Sequence, residues 1–144
     1  SFLSRIFFAV SMPEIPGIET QLNTKQEEIS KNGQALVDEL NKKYEEFQKL
    51  APTSSEAVKA DQQKQLDQIQ ERYQMFVQNS QREMEELRQK LLAPIQQKIA
   101  NAIKAVGDEK GYTYIFDLAA GNLVYVSTTA EDATPLVKSK LGIK

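Results

Sequence analysis

The 144-residue sequence contains no cysteine, no histidine and no tryptophan. Without cysteine there is no thiol nucleophile and no disulfide, and without either residue the usual ligands of a zinc site are missing. Because the sequence has no histidine, a histidine general base is also excluded. Carboxylates are present, but they form no compact cluster along the chain. We therefore expect a protein that is not an enzyme and that uses neither a metal nor a cofactor.

Glycine and proline are also scarce, with six and five residues. Because both interrupt regular structure, their scarcity favours long elements in a chain of single-domain length. Glutamine, by contrast, occurs 15 times, always between Gln21 and Gln97. The formal net charge is −2 and no basic block is present, so nucleic acid is not an expected partner. No apolar run approaches the roughly 20 residues of a membrane span.

The first ten residues, SFLSRIFFAV, form a short apolar stretch. Such a stretch could pass for a fragment of a signal peptide. However, the run is short, Arg5 interrupts it, and no initiator methionine is present. We expect a mature N-terminal segment that packs in the core, with any signal already removed. The residues concerned are Phe2, Leu3, Ile6, Phe7, Phe8, Ala9 and Val10.

A first long helix is predicted after the break at MPEIPG, where two prolines bias the residues before them away from helix. Apolar residues then recur at steps of three, four and seven, which is the spacing of a coiled-coil seam. The helix should cover residues 17–50 and be on the order of 50 Å long. Gly33 lies inside it, and we interpret Gly33 as a tolerated surface glycine, with a pliable point in the helix as the alternative. The seam residues are Ile18, Leu22, Ile29, Leu36, Leu40, Phe47 and Leu50.

A second long helix should follow a short turn at Pro52 and return antiparallel to the first. Thr53 and Glu56 have the spacing of a capping box at its start. Gly107 should stop it. The predicted helix, residues 54–106, is therefore longer than its partner.

This difference in length predicts the domain organisation. About 35 residues of each helix pair with each other, and residues 88–106 need another partner. Pro94 should kink the helix in this part, and the residues after it have the spacing of a helix buried on one face. We expect one discontinuous domain, with a helical-hairpin arm at residues 17–87 and an assembly body at residues 1–16 and 88–144.

Two short runs rich in aromatic and β-branched residues lie near the C-terminus, in GYTYIFDLAAGNLVYVS. They predict strands at residues 112–117 and 123–127, joined by a turn at Gly121 and Asn122. A short terminal helix should follow, capped by Thr134 with Pro135 in its first turn. Leu136, Val137 and Leu141 should face inward.

Both faces of this predicted hairpin are apolar, so both should be buried. A two-stranded hairpin is marginal alone and leaves two open edges. Another copy of the chain is the simplest source of the missing cover, although a self-contained monomeric α+β body is the alternative. We predict an α+β fold in which a long antiparallel coiled-coil helical hairpin stands on a small β-body formed by oligomerisation.

The arm has more apolar and aromatic residues than two facing helices need. It could hold another helix, act as a spacer, or clasp a soft, unfolded client. The surplus residues are either core of the coiled coil or weak, adaptable contacts, for which methionine and aromatic side chains are suited. The candidates for client contact are Tyr44, Phe47, Tyr73, Met75, Phe76, Val77 and Met84.

The stretch LAPIQQKIANAIKAVGDEKGYTYIFD resembles the signature of the Skp (OmpH) family of periplasmic chaperones. In that family a proline-containing helix leads into a Gly-Tyr-x-Tyr strand that ends in Asp. A second strand and a terminal amphipathic helix follow, similar to LVYVS and ATPLVKSKLGI. IFFAVSMPEIPGIETQL resembles the segment before the family's first long helix. The C-terminal match covers residues 91–143, and the middle matches as a coiled-coil hairpin of the right length.

The resemblance implies a homotrimer in the periplasm. Its short strands would form a β-body around a threefold axis, and three helical arms would enclose a cavity. That cavity would hold unfolded outer-membrane proteins without ATP. On this basis the oligomer interface in the β-body comprises Ile115, Leu123, Val124, Tyr125 and Val126.

The sequence departs from the family pattern in two ways. The best-known Skp-like chaperones are strongly basic, whereas the pI here is about 5.3. Binding of lipopolysaccharide or of a membrane surface is therefore not expected, because a basic cavity attracts such anions through its long-range field. The strand expected before the first helix is also hard to recognise in SFLSRIFF.

Two other functions remain open at this stage. A structural or tethering envelope protein could use the same trimeric body. A prefoldin-like clasp also carries helical hairpins on a β-body, but in a hexamer. The mass of the particle in solution separates a trimer from a hexamer or a monomer.

Overall fold

The computed structural model describes residues 2, 3, 8, 11–50 and 52–144. Two long helices account for most of it, α1 (Ile15–Gln48) and α2 (Glu56–Lys110). A short helix α3 (Thr134–Leu141) and two strands of two residues, β1 (Phe2–Leu3) and β2 (Phe116–Asp117), complete the regular structure. Backbone contacts divide the chain into two compact units. Gln21–Leu87 is called the arm below, and Ser1–Thr20 with Arg88–Lys144 is called the body.

The arm is an antiparallel pair formed by α1 and the first part of α2. Two ion pairs connect the helices, from Lys25 Nζ to Glu83 Oε2 at 3.2 Å and from Arg72 Nη1 to Glu39 Oε1 at 3.0 Å. From Lys25 to Glu39 the residue number rises along α1, while the number of the paired residue on α2 falls from 83 to 72. The two helices therefore run antiparallel. The predicted hairpin of two long helices is therefore present.

The start of α2 differs from the predicted capping box. The Ser55 hydroxyl, rather than Thr53, accepts a hydrogen bond from the Val58 N–H at 3.2 Å. The prediction placed the cap too early because both residues are chemically suited to it and α2 begins at Glu56.

Gly33 is not the surface glycine predicted from the sequence. It is half-buried, and a methyl group placed on its Cα would lie 3.1 Å from Cε1 of Phe76. The missing side chain thus gives the Phe76 ring room to approach the backbone of α1. Sequence periodicity missed this contact because it depends on the register between the two helices.

Replacing Gly33 by alanine tests this packing. Alanine is about 1 kcal/mol more favourable than glycine inside a helix, but here the Phe76 ring must move by a few tenths of an ångström. We expect Gly33→Ala to gain less stability in urea unfolding than Gly17→Ala, whose methyl group meets no atom within 4 Å. Equal gains would show that the ring does not depend on Gly33.

The body is built on the last part of α2. Ile95, Ile99, Ala102 and Val106 are buried, as the spacing after Pro94 predicts, and α2 is unbroken at Pro94. The helix does not stop at Gly107. It continues to Lys110, and Gly111 takes the left-handed conformation with φ of 67°. The Tyr112 N–H then donates to the Gly107 carbonyl at 3.0 Å.

The predicted β-hairpin is not formed. β2 pairs in parallel with β1, with Phe2 opposite Phe116, and residues 123–127 are not a strand. In place of a hairpin turn the chain forms a 3₁₀ turn at Leu118–Ala120, which begins where the Asp117 carboxylate accepts the Ala119 N–H at 2.9 Å. Gly121 closes this turn with φ of 68°, so the chain makes no two-residue hairpin turn.

The N-terminal strand that was hard to recognise in the sequence is present as β1. Its other side meets the segment before α3, where the Phe2 N–H donates to the Glu131 carbonyl and the Ala133 N–H donates to the Phe2 carbonyl. Leu3 and Phe8 are buried, in agreement with a packed N-terminal segment. The expectations for Ile6, Phe7, Ala9 and Val10 lie outside the described residues.

The terminal helix α3 begins at Thr134, one residue before the predicted first helical position, so the N-cap residue is Ala133 and not Thr134. Ala133 makes no side-chain capping hydrogen bond, and the Asp132 carboxylate accepts the Thr134 N–H at 2.9 Å. Val137 is buried, whereas Leu136 and Leu141 are half-buried. α3 therefore contributes one fully enclosed side chain to the body.

Glu14 and Lys98 form an ion pair that connects the turn before α1 with α2. The hydrogen bond from Lys98, followed by that from the backbone N–H of Glu14, lowers the pKa of the Glu14 carboxyl from its ordinary value. A carboxyl with a lowered pKa stabilises the folded state above its unfolded pKa, and this contribution is lost as the pH falls through the folded value.

We therefore expect Glu14→Gln to reduce the dependence of body stability on pH below about 4.5. Urea unfolding at pH 7 and at acid pH measures this difference. The control is Glu19→Gln, an exposed position in the first part of α1. If both variants keep the wild-type acid dependence, the Glu14–Lys98 pair does not stabilise the fold.

Candidate interaction surfaces

Residues 114–126 of the body form the exposed apolar segment. Val124 is fully exposed and Tyr125 is 78% exposed, and Val126 is also on the surface. Tyr114 and Phe116 lie beside each other, with ring centroids 5.9 Å apart, and both are exposed as well. Burial of both faces, predicted from the sequence, is therefore absent in a single chain.

The other two predicted interface residues are partly covered by their own chain. Ile115 is half-buried, and its Cδ1 lies 3.6 Å from where a Cβ on Gly107 would be. It also lines an open cavity of about 310 Å³ with Leu3, Ala100 and Ile103. Leu123 is half-buried and borders a second cavity, of about 200 Å³, beside Phe2 and Phe116.

The sequence-derived interface omitted three exposed side chains, Tyr114, Phe116 and Leu118. In the predicted strand at residues 112–117, Tyr114 and Phe116 would lie on the same face, and this shared face could have identified them. Leu118 could not be identified in this way, because it lies between the two predicted strands and forms part of the 3₁₀ turn.

The candidate client-contact residues of the arm differ in exposure. Tyr44, Tyr73 and Met75 are exposed, with Tyr44 at 53%. Phe76 packs at Gly33, as described above. The remaining candidates are half-buried along the helix pair, and they are Phe47, Val77 and Met84.

Met75 points in a different direction from Tyr73, the other exposed candidate on α2. It follows Tyr73 by two positions, which is about 200° around a helix with 3.6 residues per turn. The candidates therefore do not form one surface. Some belong to the contact between α1 and α2, and Met75 lies on the opposite side of α2.

Three ion pairs lie in the body. Besides the Glu14–Lys98 pair, Lys140 pairs with Glu109, and Lys104 pairs with Asp108 at 2.6 Å. Among the residues that the structure describes, no group of three or more carboxylates could hold a metal ion. In the same residues, no helix is both long enough and apolar enough to span a membrane.

The chain is similar to a known protein family and to a solved structure. The model of a protein family described as outer membrane protein (OmpH-like) matches residues 8–141. The fold is similar to a crystal structure provisionally assigned as an outer membrane chaperone (OmpH-like) from Caulobacter crescentus CB15, with a TM-score of 0.75 and 19% identity. The match covers 97% of this chain and 81% of that chain. None of the curated proteins matches the chain.

Proposed function

We propose a function from one premise: the chain belongs to the OmpH-like family of outer membrane proteins. The family match and the likeness to an OmpH-like chaperone structure support a chaperone that acts on outer membrane proteins, rather than an enzyme. More specifically, we propose an ATP-independent holdase of the periplasm. It binds unfolded outer-membrane proteins and keeps them from aggregating.

The proposed working form is a homotrimer. The observation that carries this proposal is the exposed apolar segment, in which Val124 and Tyr125 have almost no cover from their own chain. Contiguous exposed apolar surface of this kind marks an interaction site in soluble proteins. In the proposed trimer Ile115, Leu123, Val124, Tyr125 and Val126 lie where the bodies meet, and the client is held between the arms.

The body would then serve assembly, and the arm would serve binding. Tyr44, Phe47, Tyr73, Met75, Phe76, Val77 and Met84 are the proposed client contacts. The exposed members, Tyr44, Tyr73 and Met75, offer a client the most surface. The half-buried ones offer less.

Light scattering tests the proposed function directly. A urea-unfolded outer-membrane β-barrel protein is diluted into buffer with and without the chaperone, in the absence of ATP. We expect scattering to be suppressed at about one trimer per client. Aggregation that proceeds unchanged in the presence of an intact trimer would refute the holdase, and a stable complex with a folded envelope protein would favour a tether instead.

A further inference from the structure

Charge is unevenly distributed around the arm. The interhelical pairs Lys25–Glu83 and Glu39–Arg72 both lie on one side of the seam between α1 and α2, and Lys43 pairs with Glu46 on that same side of α1. We call this side the charged flank. Because both interhelical ion pairs lie there, the charged flank of α1 and the charged flank of α2 are on the same side of the arm.

The other side of the α1 seam carries no charge over more than six turns. Its residues follow one another at steps of three and four, with Gly33 inside the series, so they form one stripe along the helix. If the stripe is continued toward the N-terminus at the same steps, the first charged residue on it is Glu19. The stripe consists of Gln26, Ser30, Val37, Asn41, Tyr44 and Gln48.

A matching uncharged stripe lies on α2. If it is continued toward the C-terminus at the same steps, the first charged residue on it is Arg88. Since the two ion pairs occupy the opposite side, the two stripes border the same side of the arm, which we call the amide flank. Glu39 is level with Arg72. Asn41 is therefore close to the level of Gln70, and Val37 to that of Tyr73. The α2 stripe starts at Leu66, which is buried, and continues on the surface through Gln70, Tyr73, Val77, Gln81 and Met84.

The amide flank offers two kinds of contact and no ionic one. Side-chain amides of glutamine and asparagine both donate and accept hydrogen bonds, as peptide groups do. Tyr44 and Tyr73 add exposed aromatic surface between them. An unfolded polypeptide presents unpaired peptide groups and apolar side chains whatever its sequence. These two chemistries match, and neither depends on the charge of the polypeptide.

We propose that the amide flank is the surface on which the arm holds an unfolded polypeptide, through apolar contact with Tyr44 and Tyr73 and amide hydrogen bonds to peptide groups. This inference rests on the proposed holdase function. It identifies one flank as the binding surface and makes binding independent of client charge. Of the proposed client contacts, Tyr44, Tyr73, Val77 and Met84 lie in the two stripes.

A pair of glutamine substitutions tests the choice of flank. Gln70→Glu places a charge on the amide flank, whereas Gln68→Glu places the same charge one turn before Arg72 on the charged flank. Both positions are exposed on α2. The probes are two urea-unfolded β-barrel proteins, one with net negative and one with net positive charge at the assay pH.

We expect the wild type to bind both clients with affinities that change less than about twofold between low salt and 0.5 M NaCl, where surface charges are strongly screened. Gln70→Glu should weaken binding of the acidic client by about two- to fivefold at low salt, and Gln68→Glu should leave it unchanged. Tyr44→Ser should weaken binding of both clients by about fivefold, a loss near 1 kcal/mol.

The possible failures are distinguishable. If the wild type binds neither client, the proposed function is wrong. If it binds both but salt releases them, or if the two glutamine variants behave alike, the amide flank is wrong while the holdase stands. A change in sedimentation mass on Gln70→Glu would show that a second copy of the chain covers this flank, which also overturns the inference.

Discussion

Replacing Val124 by aspartate should convert the proposed trimer to monomers and abolish holding of unfolded clients, while the helical content stays unchanged. Val124 is fully exposed in the single chain, so a carboxylate there costs the isolated subunit little. In the trimer the same carboxylate would be buried against other copies, which costs about 3–5 kcal/mol when it has no partner. Sedimentation equilibrium measures the mass, and far-UV circular dichroism measures the helix content.

Val58→Asp is the matched control, because Val58 is an exposed valine at the start of α2, in the arm. This variant should stay trimeric. Ile115 is a poorer test position, because its side chain lies against Gly107 and a charge there would also disturb the body. A Val124→Asp protein that keeps both its mass and its holding activity would refute the assignment of residues 114–126 to assembly.

Phe8→Ala should lower the free energy of unfolding of the body by about 3–5 kcal/mol. The Phe8 side chain has no exposed surface, and it belongs to a core formed by residues far apart in the sequence. Removing its ring leaves a cavity that the surrounding side chains can fill only in part. Hydrogen exchange of the α3 amides measures the loss, since Val137 of α3 is buried in the same unit.

Tyr44→Ala provides the comparison for this second experiment. Tyr44 is a large aromatic residue of the arm that is half exposed, so its truncation should change stability by no more than about 0.5 kcal/mol. Faster exchange at α3 in Phe8→Ala, but not in Tyr44→Ala, is the expected result. Equal exchange in both variants would mean that the N-terminal segment does not hold the body together.

The helices were predictable because their signal is local. The seam from Ile18 to Leu50 repeats at coiled-coil steps, and the prediction of residues 17–50 lies within two residues of Ile15–Gln48 at both ends. Chain breaks such as Pro52 are local as well. The positions of Gly33 and Phe76 were not predictable in this way, since only the antiparallel register brings them together.

The candidate interface was predicted in part. The apolar character of Val124, Tyr125 and Val126 can be seen in the sequence, and their exposure agrees with a surface that needs cover. The predicted strand pairing within this stretch was wrong. Apolar alternation indicates that a segment suits a strand, but it does not specify the partner strand.

The sequence by itself determined two long helices joined by a short turn, an apolar C-terminal stretch, and the absence of cysteine and histidine chemistry. These depend on composition and on periodicity over a few turns. Only the tertiary structure decided that β2 pairs with β1, that the 3₁₀ turn replaces the hairpin, and that Val124 is left exposed. The reason is that parallel pairing joins residues more than 100 positions apart, such as Phe2 and Phe116, and no local pattern encodes that choice.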